Sequence, residues 1–495
     1  MKYFIGIDMG TQSMRGLLFS PDGEIIAKAN SEYLPAFPKP GWAECDPWLY
    51  LKALKSIITE LKVKGNISEN EIGCISFACI DGSIIPVDDN CMPIDNCIVW
   101  LDNRTGEQWE QLRRIIPDEE AQRITGSIIF PFLDVTKVMW LKQNKPEVYH
   151  NARYILEVNS FFVGYLTGMP YCGYCGASVS QLFDIVNMEW SERIFSAADI
   201  DIEKMCEVGS GCEVAGYVRP LAAKELGLSI RTKVAIGGSD HQIAIYGAGV
   251  CEYGQVMDTS GTCTSIATMI PDPVTDDAGT MYTHLSTLGD CWVMEQASLY
   301  TGANLRWYLD TIDRSDFNQM DREAMEVVPG SNGLIFLPYL QGQVTPKTNP
   351  VARGAFFGLT MNHDVRDMTH AVYEACTFSI RDCVERINAL IGKPEIIIGS
   401  GGGTKSALWN QMKADCLGIP FRVVATSDAT AVGSGMMAGI AEGIFEDVPS
   451  AIKRYIKYGQ IYEPNAQKKD SYDEAYAKYL CLQNECQSLF NDFYK

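Results

Sequence analysis

Short apolar runs alternate with amphipathic stretches from one end of the chain to the other, the pattern of strands and helices in an α/β fold. The first run, Tyr3–Ile7, suits a central strand and stops at Asp8. Gly10, Thr11 and Ser13 follow; Met14–Phe19 then reads as a second strand, and Ser20–Glu24 as a turn into a third, Ile25–Ala29. Val256–Met269 repeats this order of strand, small residues and strand. In it Thr259-Ser260-Gly261-Thr262-Cys263-Thr264 aligns with Asp8-Met9-Gly10-Thr11-Gln12-Ser13. The recurrence predicts an internal duplication, two halves that face each other across a cleft and clamp a ligand between two hairpin tips. A soft boundary at 248–254 divides the chain into an N-terminal domain over 1–249 and a C-terminal domain over 250–495.

Two further strand ends carry chemistry. Val234–Ile236 runs into Gly237, Gly238, Ser239 and Asp240, and then into a helix of small residues. Asp240 can cap that helix, or it can take the proton of an attacking hydroxyl, since α/β folds place reactive groups at the C-terminal ends of strands. Glu395–Gly399 reads as a strand, Gly401–Thr404 as a glycine turn and Ser406–Leu417 as a helix. That unit can hold a nucleotide, or it can be a plain tight turn. The tip at Asp8 has the same ambiguity. A buried carboxylate is costly without a partner, and small residues let amides approach an anion. A metal-bound polyphosphate and a capping Asp both satisfy those facts.

Composition narrows the choice. The chain has 495 residues and a formal net charge of -21. That disfavours nucleic acid and anionic membranes as partners, and any phosphate site must rely on amides, helix N-termini and metal. No apolar run reaches membrane-spanning length, and the first run is broken by Asp8, which argues against a secretory leader and for the cytoplasm. The 17 cysteines sit in apolar contexts, as free thiols do in a reducing compartment. Cys172 and Cys175 form a lone CxxC, read as structural, and none of the five histidines is paired at ligand spacing, so no protein-bound transition metal is expected. Neither GxGxxG nor the P-loop GxxxxGK[ST] occurs.

Two longer motifs point to a family. "FLDVTKVMWLKQN" carries Phe132, Lys137, Trp140 and Asn144; "GAFFGLTMNHDVRDMTHAVYEA" carries Gly354, Gly358, Asp367, Ala371 and Glu374. Together with the two tips, the chain resembles the FGGY carbohydrate kinases over nearly its whole length, nearest to the xylulokinase branch, which "PGWAECDPWLY" and "FLPYLQGQVTPKTNPVARGAFFGL" also resemble. Asp134 departs from the first motif, where the family has Pro, Ser or Thr. The resemblance implies a two-domain actin-like, ribonuclease H-like ATPase fold with an interdomain cleft, and ATP and Mg²⁺ as cofactors. It further implies Asp240 as general base, with Asp8 and Asp240 at the metal. Gly10, Thr11, Gln12, Ser13 and Arg15 would line the phosphates on one side, and Ser260, Gly261 and Thr262 on the other. Gly402, Gly403 and Lys405 to Trp409 would form the adenosine side, with Asp428 near the nucleotide. A homodimer is also implied.

The sugar is less defined. Asp81 stands where the xylulokinases carry a His and glycerol kinases an Arg, and an ionised Asp only accepts. Asp81 and Gly82, Phe132 (a Tyr in glycerol kinases), His241, and the wall Trp100, Asp102 and Arg104 are the expected substrate contacts. They suit a small ketose or polyol resembling D-xylulose, with ribulose, glycerol-type polyols and gluconate as alternatives. An actin-like or chaperone-type ATPase would share the hairpins without needing Asp240 or the Lys137–Trp140 motif. A non-catalytic sugar sensor would not need Asp8 and Asp240 together.

Overall fold

The computed structural model describes residues 2–494 apart from Gly23, Ser315, Thr426 and Ser427, and leaves out the side chains of Ala297 and Ser298. Gly23, in the turn expected over Ser20–Glu24, therefore lies outside the described residues. The first sheet contains β1 (Tyr3–Met9), β2 (Ser13–Phe19), β3 (Ile25–Glu32), β4 (Ile72–Cys79), β5 (Val214–Tyr217) and β6 (Lys233–Ala235), in the order β5-β6-β4-β1-β2-β3. A short β7 (Gly238–Ser239) also pairs with β4.

The second sheet repeats the plan. It contains β8 (Gln255–Ser260), β9 (Thr264–Ile270), β10 (Tyr282–Leu285), β11 (Trp292–Leu299), β12 (Ile396–Ser400), β13 (Phe421–Val424) and β14 (Tyr458–Tyr462), in the order β10-β11-β9-β8-β12-β13-β14. In each half the first strand pairs antiparallel with the second and parallel with a later one, β1 with β4 and β8 with β12. The duplication read from the two tips is thus a duplication of sheet topology. The tips themselves differ by one residue. Asp8 pairs with Arg15 across the first hairpin and Thr259 with Ser265 across the second, so the second tip is a residue shorter.

Two helices join the halves at their base. α3 (Asp240–Gly247) follows the first sheet, and α7 (Ala429–Glu442), late in the chain, lies on β1 and β4 and packs along α3. Their approach leaves no room for side chains. A Cβ on Gly247 would stand 1.8 Å from the Ala429 carbonyl oxygen, and one on Gly433 would stand 2.2 Å from that of Ile243. Ile243, Ile245, Met257, Ala267, Ile398, Val432 and Met436 share one buried cluster, so the core at this joint is common to both halves.

The second family motif opens α5 (Val365–Ile391) and acts on the backbone. Asp367 completes the capping box at Asp364 and accepts from the Asn332 amide at 2.7 Å. Glu374 accepts from the Gly330 N–H and the Ser331 hydroxyl, each at 2.6 Å. Gly358 adopts φ +92°, and a Cβ there would stand 2.8 Å from the Gly333 oxygen. The motif therefore clamps the 330–333 turn, and its acids are not free for chemistry. Among the described residues no helix is long and apolar enough to cross a membrane.

Candidate active site

Asp8 interrupts the buried run of β1, which resumes at Met9. Its tip is rigid: the Gly10 N–H donates to the Ser13 carbonyl at 2.9 Å and the Tyr33 hydroxyl donates to that of Gly10 at 2.5 Å. Thr11 accepts from the Trp100 indole at 2.8 Å, which ties the tip to the loop that follows Val99. Burial pushes the Asp8 carboxyl up to about 6; Arg15 draws it back and Asp428 adds to the rise. Asp428, at the entrance to α7, holds Lys28 of β3 at 2.5 Å. Gln12 and Arg15 are exposed, and Thr11 and Ser13 partly so.

The second tip carries its acid one position earlier, at Asp258, and neutralises it. Lys413 of α6 (Ala407–Leu417) lies 2.6 Å from Asp258 and 2.8 Å from the Ser260 hydroxyl, and both charged side chains are fully buried. Ser260, expected to meet phosphates, instead turns its hydroxyl inward to Asp258 at 2.5 Å. A serine that bonds a buried ion pair serves the hairpin. Gly261, Thr262 and Cys263 remain exposed at the tip. The start of α4 (Thr301–Thr311) and the glycine turn both press on it: a Cβ on Gly302 would stand 1.8 Å from the Gly261 oxygen, and one on Gly401 2.6 Å from that of Ser260. Gly402 is open, Lys405 is exposed and Gly403 is half-buried. Trp409, counted with the adenosine side, is 1 % exposed; its indole donates to Thr377 at 3.0 Å and its ring lies under Lys413. It is core, because the helix turns that face toward the sheet.

The start of α3 lies within electrostatic reach of Asp8 at the first tip. Asp240 accepts from the His241 N–H at 2.7 Å. The His241 ring has a carboxylate on each side, Asp81 2.8 Å from Nε2 and Glu295 3.0 Å from Nδ1. The Ser239 hydroxyl donates to the same Asp81 oxygen at 2.5 Å. Burial raises the Asp240 carboxyl; the His241 charge opposes this and Asp81 and Asp8 add to it. Burial alone would lower the His241 ring, but Glu295 and Asp81 hold it well above the ordinary range. Burial would raise Glu295, yet the charge of His241 and the nearby His284 keep it low. Glu295 on β11 and His284 on β10 come from the second half of the chain and were not among the expected residues. A lone acid within a strand leaves no local signal. The ligand atoms of Asp81, Asp240 and His241 lie within 4.8 Å of one another.

The first motif organises this region from behind. Lys137, on α2 (Asp134–Asn144), is fully buried and donates to the carbonyls of Gly82 and Val99. It pins the two loops that carry Asp81 and Trp100. Phe132 stacks on Phe130 with ring centroids 5.3 Å apart and is partly exposed, as is Trp100 at 42 %. Asp102 and Arg104, expected on the sugar wall, are buried instead. Asp102 accepts from the Ala43 N–H and from Arg104, whose guanidinium also meets Glu44 at 2.8 Å and lies 3.6 Å from the Trp42 ring. Arg104 side-chain exposure is 1 %. A planar cation seated between indoles and carboxylates is a structural brace. Cys172 and Cys175 are buried free thiols with different partners: Cys172 donates to Glu157 at 3.4 Å, and Cys175 accepts from the Ser239 N–H at 3.2 Å. The CxxC is structural here.

Two duplicated sheets, joined at the base by crossing helices and presenting paired Gly-Thr tips to a cleft, define the actin-like, ribonuclease H-like ATPase fold. The chain belongs to the FGGY family of carbohydrate kinases. The model of its N-terminal domain matches residues 3–247 and that of its C-terminal domain residues 256–442. A xylulose kinase of Lactococcus lactis is 30 % identical over 483 residues, covering 96 % of this chain and 95 % of its own. A gluconokinase of Bacillus subtilis is 27 % identical, covering 89 % and 88 %. In structure, a ligand-bound xylulose kinase from Lactobacillus acidophilus superposes with TM-score 0.92 at 24 % identity, each chain covered in full, which shows the shared fold. The protein is a sugar kinase near the xylulokinase branch; kinases of this family use ATP, generally with Mg²⁺.

Proposed function

We propose that this kinase transfers the γ-phosphoryl group of ATP to a hydroxyl of a small neutral ketose or polyol, with Asp240 as general base. The observation that carries this reading is Asp240 at the start of α3, beside the Asp81–His241 pair and in the electrostatic reach of Asp8. A carboxylate there can take the proton of a hydroxyl as it attacks in line. Asp8 and Asp240 suit Mg²⁺. Both offer hard oxygen ligands, and both carboxyls are pushed up by burial and by neighbouring acids, a tension that a divalent cation relieves. Bound there, Mg²⁺ would neutralise phosphate charge. The half-exposed Gly10–Thr11 tip and the exposed Gly261–Thr262 tip would meet the phosphates from two sides, and the open face at Gly402 and Lys405 would take the nucleoside.

The sugar side favours a neutral acceptor. Asp81, Asp240 and Glu295 gather around one imidazole, with Asp8 in electrostatic reach of Asp240, so an aldonate would add another negative charge to an acid-rich pocket. His241 and Ser239 both donate to one oxygen of Asp81, so Asp81 meets the sugar as an acceptor and favours a hydroxyl that donates. A coupled ADP-release assay over ketoses, polyols and aldonic acids tests this. Turnover should depend on sugar and favour neutral acceptors, and preference for gluconate would overturn the charge argument. ATP turnover indifferent to any sugar would overturn the kinase role proposed for Asp240.

A further inference from the structure

We propose that Glu295, a residue of the second half of the chain, is a positioning residue of the sugar site: it orients the His241 ring and, through it, Asp81. The inference rests on the kinase reading above for its consequence and on the geometry alone for the contact. His241 has one nitrogen against each of two carboxylates, so the ring cannot flip without losing a charge-assisted bond. Glu295 is itself held. Its side chain is 3 % exposed, and its second oxygen lies 3.5 Å from His284 Nε2. The edge hairpin β10–β11 that carries both residues is fastened to the first half independently of them. The Leu285 N–H donates to the Ser178 hydroxyl at 3.0 Å, the Trp292 indole to the Ile185 carbonyl at 2.9 Å, and the Gly211 N–H to the Thr287 carbonyl at 2.8 Å.

These bonds set Glu295 as a fixed brace that reaches across the junction, and they keep the junction intact when the carboxylate is removed. Without it the ring is held from one side only. Asp81 then keeps the Ser239 hydroxyl but loses a directed partner, and the face presented to the sugar becomes loose. A loss of orientation in a pocket that recognises hydroxyls weakens acceptor binding, while the phosphate tips are untouched.

Steady-state kinetics on the best acceptor of the panel read the consequence. Glu295→Ala should raise the sugar KM tenfold or more and leave the ATP KM within twofold; Glu295→Gln, which keeps an acceptor oxygen, should fall between. Because both act through one ring, Glu295→Ala combined with His241→Gln should be no worse than His241→Gln alone. A second readout needs no sugar. The chain has five histidines, and the ring N–H resonances of His241, assigned by their loss in His241→Gln, should shift or vanish in Glu295→Ala. An equal rise of both KM values, full additivity in the double variant, or unmoved His241 resonances would overturn the proposal. If the wild type phosphorylates no sugar, the kinase reading fails, and the resonances still decide the contact.

Discussion

The two hairpin tips share a backbone and differ in what they do with an acid. In the first, Asp8 reaches the cleft from the end of β1 and its carboxyl is pushed up to about 6. In the second, Asp258 is drawn into the core and paired with Lys413, both side chains fully buried. The first tip keeps an acid that burial disfavours in its charged form; the second presents backbone over a locally neutral base. Duplication supplied one scaffold twice; an acid shifted by one position and a lysine on α6 make the copies chemically different. A cleft closed by two acidic tips would repel a polyphosphate; one acidic and one neutral tip is the arrangement that the proposed metal and phosphate roles require.

Asp240→Asn sets the scale for the largest expected loss. An amide cannot take the hydroxyl proton, so kcat should fall by about three to four orders of magnitude with ATP affinity nearly unchanged. Sugar-dependent turnover within tenfold of wild type would remove Asp240 as the base. Asp8→Asn should follow, with maximal rate down by about two to three orders, thermal stability retained, and no rescue at high Mg²⁺. Complete rescue by Mg²⁺ would mean that Asp8 only tunes metal affinity.

Asp258→Asn should invert that pattern and is the direct test of the contrast. It leaves Lys413 buried without its counter-charge, at a cost of about 3–5 kcal/mol, while the folded fraction keeps its activity within a few fold. Denaturant unfolding beside specific activity measures both. Activity lost without stability would show that the second tip also uses its acid in the cleft.

A smaller effect concerns Glu157, a buried neighbour of Asp81 and Asp134. It is bonded to Cys172 and Ser160, and burial pushes its carboxyl up to about 8. The folded chain therefore keeps this proton up to about pH 8, whereas the unfolded chain releases it near 4.3. More protons on the native state mean that stability falls as pH rises across this window, by at most about 1.4 kcal/mol per pH unit from this group. Glu157→Gln should remove that part of the slope in unfolding curves taken from pH 5 to 8. Asp382, raised to about 7, acts in the same direction and keeps some slope in the variant. An unchanged slope would show that Glu157 ionises freely.

The smallest shift, in sugar ranking, belongs to Asp81→His. With His241 in place the new ring meets another imidazole where it had none. Asp81→His alone should weaken all acceptors, and Asp81→His with His241→Gln should move kcat/KM toward D-xylulose. An unchanged ranking in the double variant would place Asp81 outside recognition.

Local pattern alone determined the strands, the two tips, the glycine turn before α6 and the acids at strand ends. Tyr3–Ile7 is an apolar run that stops at an acid and small residues, Val256 and Met257 give way to Asp258 and small hydroxyl residues in the same manner, and Asp240 stands where a strand gives way to a helix. These features need only neighbours in sequence, so periodicity and turn chemistry suffice to read them. The direction in which an isolated polar side chain points was decided by the tertiary structure. Ser260 faces Lys413, which is 153 positions away, and Asp102 bonds the backbone 59 positions before it. Glu295 reaches His241 across 54 positions and from the other half of the duplication. A strand offers two faces and a loop several, and what selects among them is the burial of a charge against a partner that only the folded chain brings near.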